Sequence, residues 1–432
     1  MSTMVAIAIG LLLVLLIVGV PVPASFFGTT LFLIVTGGYT PDFLVPYAYS
    51  KTSSYVLLAI PLFIIAGGII ERSDLGAHLV NFVMLLVGRV KGSMGMVAVI
   101  ACALFGSVTG SACATMSVIG SIMWPRMEAA GYSKGKSAAL ISSSCLLGGL
   151  IPPSSLMILY AMLSKESVLK CFLAVLGPGL MMTVMFCVAY YFMVRKDEGM
   201  EMTPKMEPAV YRHEFKTRFV KFIPAIIFPI IILGGIYSGI MTPTESASVS
   251  LIYALLVGFF IYRTLTFRKI KEVLISSSNT IGSVMVMIFM VMMLSRIFVM
   301  EDVPSMIMNA LGSIATSKIA VLAVVNVFMI IIGMLMDDTS STLLCVPILL
   351  PLVQSVGVSA IHFAAIVAVN ISLGCVTPPC APLMYLGARL SNTDVAEVIK
   401  PTFQLIFWVW LPALILVTYV PAISTFFPSL LG

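Results

Sequence analysis

The chain has 432 residues and a net charge of +6, and 60% of its residues are hydrophobic while only 10% are charged. A soluble domain carries about 25% charged residues, because its surface must face water. The composition therefore excludes a soluble enzyme and predicts an all-α integral membrane protein, and its modest positive charge indicates topology rather than nucleic-acid binding.

The first predicted elements are a helix and a hairpin. An apolar run at residues 4–20 has no basic residues before it and no small-residue cleavage site after it, so we expect a retained helix. Arg89 and Lys91 precede an apolar segment, residues 93–124, that is too short for two helices of about 20 residues each. We predict a re-entrant helical hairpin here, with its tip at residues 106–111.

The middle of the chain sets the topology. Two basic stretches, residues 195–221 and 263–272, flank two apolar runs, residues 222–240 and 247–262. Because two spans return the chain to the same side, the positive-inside rule makes both basic stretches cytoplasmic loops. The linker at residues 241–245 has no Lys or Arg, as expected for the outer side.

The second half follows the same plan in the opposite direction. Residues 273–299 lead outward, and residues 319–350 form a second hairpin that opens from outside, with its tip at residues 337–341. Residues 361–390 return inward, and a final helix covers about 403–421. We expect N-terminal scaffold helices at 1–92, a first transport repeat at 93–170, scaffold helices at 171–300, a second transport repeat at 301–400 and a C-terminal helix at 401–432.

A separation of 226 residues relates the two hairpins and the segments that follow them. The matched residues are Ile122 and Ile348, Pro125 and Pro351, Gly131 and Gly357, Ser133 and Ser359, Gly148 and Gly374, and the double prolines Pro152-Pro153 and Pro378-Pro379. Because the topology assigns the two copies opposite directions, we predict inverted repeats. Inverted repeats with paired interruptions indicate a secondary transporter.

Each double proline interrupts an apolar segment, residues 137–163 in the first half and 361–390 in the second. Two prolines in a row should break a helix, because each removes an N–H donor and clashes with the preceding turn. Broken backbone at membrane depth is tolerated where it is buried or lines a wet cavity. Freed carbonyls can bind a cation, and the next half-helix favours an anion; a structural kink is the alternative.

The two hairpin tips, residues 106–112 and 337–342, are rich in small and hydroxyl-bearing residues. Such residues offer oxygen ligands to an alkali cation, although close helix packing is the alternative at the first tip. Asp337 and Asp338 should mark an ion path, because ionisable groups in a membrane are costly. Capping of the following half-helix is the alternative role for one of them.

Other polar residues carry weaker signals. Glu71, Arg72 and Asp74 form a charge cluster that we interpret as a solvated helix end, with a coupling site as the alternative. The eight cysteines include no CxxC pair, and the three histidines are scattered, so we expect neither a metal cluster nor catalytic residues.

Five segments together resemble the large membrane subunit of tripartite ATP-independent periplasmic (TRAP) transporters, and the resemblance covers essentially the whole chain. They are residues 105–112, 131–132, 147–154, 333–338 and 373–379. The resemblance implies an elevator-type transporter in the bacterial inner membrane that couples sodium entry to import of an organic acid. It also implies a periplasmic substrate-binding protein, a small four-helix membrane subunit on a separate chain, and no organic cofactor.

The family's motifs also assign site residues in this sequence. The resemblance implies one sodium site at Ser107, Thr109, Gly110, Ser111, Gly148, Gly149 and Pro152. It implies a second at Asp337, Asp338, Thr339, Ser340, Gly374 and Thr377. Candidate substrate-binding residues are Ser154, Ser155, Ser111 and Thr377. Cys380 and Ala381 stand where the first repeat has its two serines.

Several functions remain open at this point. The substrate could be a sugar acid such as sialic acid or a C4-dicarboxylate, and a sodium- or proton-coupled carrier that works without a binding protein is the alternative mechanism. A channel is another alternative. A membrane enzyme or proton-channel subunit would need a relay of ionisable residues, which the apolar segments nearly lack.

Overall fold

The computed structural model describes residues 2–87, 90–197, 207–303, 305–306 and 317–430, and within these ranges every regular element is a helix. Six of the described helices are long and apolar enough to cross a membrane, or up to eight spans if each of two bent helix pairs counts as one. The expected class, an all-α multi-pass membrane protein, is therefore confirmed.

The chain begins with five helices. The first three are α1 (Ser2–Ile17), α2 (Val22–Gly37) and α3 (Pro41–Thr52); a short 3₁₀ turn, Tyr55–Leu58, then leads into α4 (Ala59–Glu71), and α5 (Leu75–Val87) follows. Helices α2 and α3 start with proline in their first turn, where the missing N–H costs nothing. The chain bends by 55° between α3 and α4.

The first predicted hairpin and broken helix are both present. The hairpin is α6 (Ser93–Thr109) and α7 (Ala112–Ala129), and the broken helix is α8 (Lys134–Ser144), α9 (Leu147–Leu150) and α10 (Ser155–Ser164). Helix α6 ends at Gly110, whose φ of 64° suits glycine. Helix α7 starts at Ser111, whose Oγ accepts a hydrogen bond from the Ala114 N–H at 3.4 Å. The broken helix bends by 46°.

The central helices are longer than the sequence predicted. They are α11 (Val168–Val194), α12 (Pro208–Tyr237), α13 (Pro243–Leu256, extended by a π-helical turn at Val257–Ile261) and α14 (Phe267–Met300). The expected loop at residues 195–221 is thus helical from Pro208, because Arg218 pairs with Glu214 one turn away at 2.7 Å. The expected loop at 263–272 is helical from Phe267, where Thr266 accepts a hydrogen bond from the Lys269 N–H.

The second half contains the second hairpin and broken helix. They are α15 (Lys318–Leu335) with α16 (Asp338–Ser355), and α17 (Ala360–Val376) with α18 (Pro382–Leu390); α19 (Val395–Leu405), a π-helical turn (Ile406–Trp410), α20 (Leu411–Tyr419) and α21 (Ala422–Ser429) follow. The last long helix was predicted to start near 403 and instead starts at Val395, because Asp394 caps it by accepting a hydrogen bond from the Ala396 N–H.

The structure confirms the 226-residue repeat. Helix α7 starts at Ala112 and ends at Ala129, and α16 starts and ends 226 residues later, at Asp338 and Ser355. The capping residues, Ser111 and Asp337, follow the same spacing. Both double-proline peptide bonds, one in each broken helix, are cis.

Glycine contacts join each hairpin to its broken helix. A Cβ at Gly148 would lie 2.5 Å from the Gly106 Cα, and a Cβ at Gly374 would lie 2.6 Å from the Gly333 Cα. No larger residue fits at these crossings without displacing backbone. Both repeats therefore use the same close approach, although Gly333 lies one residue later in its repeat than Gly106.

A buried polar network holds the second repeat against the C-terminal helices. The Asn370 side chain donates to the Asn326 Oδ1 at 2.9 Å, and the Asn326 side chain donates to the Thr418 Oγ1 at 3.0 Å. Beside them, the His362 Nε2 lies 2.8 Å from the Val417 carbonyl oxygen. These bonds connect α15, α17 and α20 in a core that is otherwise apolar.

Candidate functional site

A cavity of about 340 Å³ lies where the two hairpin tips and the first helix break meet α4 and α14. The first tip contributes Val108 to Ser111, and the break contributes Pro153 to Ser155. The second tip contributes Asp337 to Thr339. Two segments that are over 200 residues apart in sequence therefore share one polar cavity, as expected for a site between repeats.

Direct hydrogen bonds connect the first tip to the first break. The Ser155 hydroxyl donates to the Gly110 carbonyl oxygen at 3.1 Å. Within the tip, the hydroxyls of Thr109 and Thr115 lie 3.1 Å apart, and Thr115 also donates to the Ser111 carbonyl oxygen at 2.8 Å. These bonds hold the backbone of residues 109–111 beside the cavity.

The second tip is organised by its two carboxylates. Asp337 accepts hydrogen bonds from the N–H groups of Thr339 and Ser340, at 3.1 and 3.2 Å, and also from the Ser340 hydroxyl. Asp338 accepts from the Thr339 N–H at 2.8 Å. Asp337 therefore caps α16, the capping role considered for one aspartate, and both aspartates keep free lone pairs toward the cavity.

Eight of the residues assigned by resemblance line this cavity. They are Thr109, Gly110, Ser111, Ser154, Ser155, Asp337, Asp338 and Thr339. The cavity thus joins the first-site tip, both substrate serines of the first break and most of the second-site tip.

The other assigned residues lie beside the cavity lining rather than in it. Gly148 and Gly374 pack at the glycine crossings, Gly149 has no neighbouring atom within 4 Å of a built Cβ, and Pro152 is in the first break. The side chains of the remaining three bond locally: Ser107 to the Leu104 carbonyl, Ser340 to Asp337, and Thr377 to the Leu373 carbonyl at 2.6 Å. The second break is therefore placed differently from the first with respect to this cavity.

Sequence reasoning missed the contribution of α14 and α4. Ser276, Ser277 and Thr280 on α14 line the cavity, and the polar run at residues 276–280 inside an apolar helix was an available signal. Glu71, interpreted as part of a solvated helix end, lines the cavity as well, whereas Arg72 is exposed as expected. Helix periodicity alone did not show which side of α4 faces the hairpins.

The lining suits a hard cation better than a soft one. Its polar atoms are hydroxyl, carbonyl and carboxylate oxygens, the ligands of alkali and alkaline-earth ions. The Ser154 side chain is only 1% exposed, and its hydroxyl has no hydrogen-bond partner in the described structure. A buried hydroxyl without a partner in a polar cavity is available to an ion or a substrate. The described residues contain no cluster of three or more His, Cys, Asp or Glu for a transition metal.

The sequence matches a known transporter family over nearly its whole length. The family model described as tripartite ATP-independent periplasmic transporter, DctM component, matches residues 9–423. The C4-dicarboxylate TRAP transporter large permease protein DctM of Rhodobacter capsulatus is 32% identical, with 98% of each chain covered. The sialic acid TRAP transporter large permease protein SiaM of Vibrio cholerae is 31% identical, with 96% of each chain covered.

Two further comparisons differ in extent or in similarity. The isethionate TRAP transporter permease protein DctMQ of Oleidesulfovibrio alaskensis is 33% identical, but this chain spans only 64% of that protein's length. Among solved structures, the YdaH transporter of Alcanivorax borkumensis aligns with a TM-score of 0.58 over 87% of this chain and 86% of that one, at 12% identity. The latter similarity is one of fold.

Proposed function

Because the chain belongs to the family of the DctM component of TRAP transporters, and is thus a large permease subunit rather than an enzyme, we propose that it imports an organic acid coupled to sodium. The observation that carries the proposal is the shared cavity between the two hairpin tips, lined by hydroxyls and carboxylates. The membrane would be the bacterial inner membrane, where a periplasmic carrier can deliver its cargo.

The proposed sodium sites use the two tips. At the first, the carbonyls and hydroxyls of Thr109, Gly110 and Ser111 would bind one ion with the backbone freed at the first break. At the second, Asp337 and Asp338 would bind another with Thr339. A sodium ion at each tip would bring positive charge to a cavity that would otherwise repel an organic anion.

The proposed motion is that of an elevator. The hairpins and broken helices would carry substrate and sodium across, while helices such as α4 and α14 stay in place. The close contact between α4 and the first tip supports such a sliding boundary: a Cβ at Gly67 would lie 2.7 Å from the Thr109 carbonyl oxygen. Small residues permit close, smooth helix contacts in membranes.

We propose two protein partners by analogy with the relatives. A periplasmic substrate-binding protein would deliver the organic acid, and a small membrane subunit on a separate chain would pack beside this one. The named relatives transport sialic acid, C4-dicarboxylates and 2,3-diketo-L-gulonate, so the class of organic acid is shared while the individual substrate differs.

The test is uptake into proteoliposomes that contain the permease and its small subunit. Accumulation of the binding protein's ligand should require both an inward sodium gradient and the binding protein. Accumulation without the binding protein would favour the simpler carrier. Uptake that persists with potassium or a proton gradient in place of sodium would contradict sodium coupling.

A further inference from the structure

The cavity has an unusual charge for a carrier of organic anions. Glu71, Asp337 and Asp338 line it, and no Lys, Arg or His is among the described lining residues. The two aspartates belong to the hairpin tip where a cation is proposed to bind. Glu71 belongs to α4, outside both proposed sodium sites, so its charge is not assigned a counter-ion.

Glu71 also differs from the two aspartates in its bonding. Asp337 and Asp338 both accept hydrogen bonds from their own tip. The Glu71 carboxylate has no hydrogen bond and no ion pair to any residue that the structure describes, and it is partly buried. It ends α4, where the last helical carbonyls add negative potential. A partly buried carboxylate with free acceptor oxygens is suited to a ligand that donates hydrogen bonds.

A second polar group in the cavity lacks a partner. The Ser154 hydroxyl is buried at 1% exposure, has no hydrogen-bond partner in the described structure and lines the same cavity at the start of α10. A hydroxyl at this position can donate to the carboxylate of a substrate, and the N-terminus of α10 also favours an anion. The cavity thus offers an anion-binding end at the break and an acceptor end at Glu71.

Resting on the proposed function, we propose that Glu71 is a specificity-determining residue that selects monocarboxylates with hydrogen-bond donors at the far end. Hydroxyl groups of a sugar acid or an ammonium group supply such donors equally well. A dicarboxylate supplies none, and its second carboxylate would face Glu71 with like charge. The substrate class would therefore be hydroxylated or amino monocarboxylates rather than C4-dicarboxylates.

The experiment measures binding to the permease in complex with its small subunit, in nanodiscs, at one saturating sodium concentration. The probes are D-gluconate, 4-aminobutyrate and succinate, each titrated by thermal shift. The variants are Glu71→Gln, which removes the charge, and Glu71→Asp, which retains it. Glu272→Gln is the matched control, because Glu272 is an exposed glutamate that pairs with Arg72 outside the cavity.

The wild type should be stabilised by gluconate or 4-aminobutyrate and not by succinate. The two arms distinguish a hydroxyl donor from an ammonium donor. Glu71→Gln should weaken the preferred probe on the order of ten-fold and admit succinate, since loss of a hydrogen bond to a charged group has about that effect. Glu71→Asp should keep the exclusion of succinate, and Glu272→Gln should behave as wild type.

Preference of the wild type for succinate, or no response to either gluconate or 4-aminobutyrate, would overturn the proposal. An unchanged probe ratio in a folded Glu71→Gln protein would also overturn it, and a changed sodium requirement alone would instead place Glu71 in ion binding. If Glu71→Gln does not fold, the succinate response of Glu71→Asp and of the wild type decides. Failure of sodium coupling would appear separately, as wild-type uptake that does not need sodium.

Discussion

The Ser155 hydroxyl donates a hydrogen bond to the Gly110 carbonyl oxygen across 3.1 Å, and this bond joins the first helix break to the first hairpin tip. Gly110 ends α6 and Ser155 starts α10, so the bond connects two helix termini that both face the cavity. The site is therefore made of backbone groups that each segment leaves unpaired at its own end.

We expect Ser155→Ala to weaken sodium-dependent uptake about five-fold, because one hydrogen bond of roughly 1 kcal/mol no longer holds the Gly110 carbonyl in position. The measurement is the sodium concentration that gives half-maximal uptake. Ser164→Ala is the control, since its hydroxyl bonds to the Tyr160 carbonyl on the same helix, α10, outside the cavity. An unchanged sodium response in Ser155→Ala would show that the bond has no role in the ion site.

Asp338→Asn should abolish or strongly reduce sodium-driven uptake, because it removes a charge from the proposed ion site. Asp337→Asn should do the same while largely keeping α16 capped, since Asn is also a good capping residue. Asp394→Asn makes the same change at a helix cap on α19, outside the cavity, and should leave uptake unaffected. Normal sodium dependence in both tip variants would remove the aspartates from coupling.

Gly148→Ala and Gly374→Ala should lower the melting temperature of the purified protein or prevent its accumulation in the membrane. Each added Cβ would lie within 2.6 Å of the facing glycine backbone, so the hairpin and the broken helix must separate. Gly149→Ala adds the same atom next door, where nothing lies within 4 Å, and should be tolerated. Equal stability of Gly148→Ala and Gly149→Ala would contradict the close crossing.

Asn370→Ala should destabilise the folded protein by about 1 kcal/mol, the usual size of a buried interhelical hydrogen bond in a membrane. The variant leaves the Asn326 carbonyl oxygen without its donor, although Asn326 still bonds to Thr418. Fluorescence-detected thermal unfolding in detergent is the measurement. Asn279→Ala on α14 is the control, because Asn279 is exposed. A larger effect in the control would show that the network is not a main support of the second repeat.

Cys113 should react with a small water-soluble thiol reagent, and sodium with substrate should slow the reaction. It is exposed and lines the cavity, whereas Cys380 is exposed but is not part of that lining. Cys380→Ala therefore removes background labelling without changing the cavity. Labelling can be followed by mass spectrometry of the intact protein. Equal protection of Cys380 in the wild type would indicate a global conformational effect instead of occupation of the cavity.

The amino-acid sequence predicted the breaks, tips and repeat well because their causes are local. Two adjacent prolines interrupt a helix whatever surrounds them, and Ser111 or Asp337 caps the helix that starts one residue later. The 226-residue spacing then carried each of these features from one half to the other. Helix ends at charged stretches, such as Pro208 and Val395, were predicted less well, because exposed charged residues are also good helix formers.

Sequence by itself thus determined that this protein is a membrane carrier with two matched broken helices, since composition, periodicity and helix-breaking act within short segments. Only the tertiary structure decided that Glu71 and the α14 hydroxyls face the same cavity as both tips, and that the second break does not line it. The physical reason is that the direction a helix face points depends on how distant segments pack, and no local pattern contains that information.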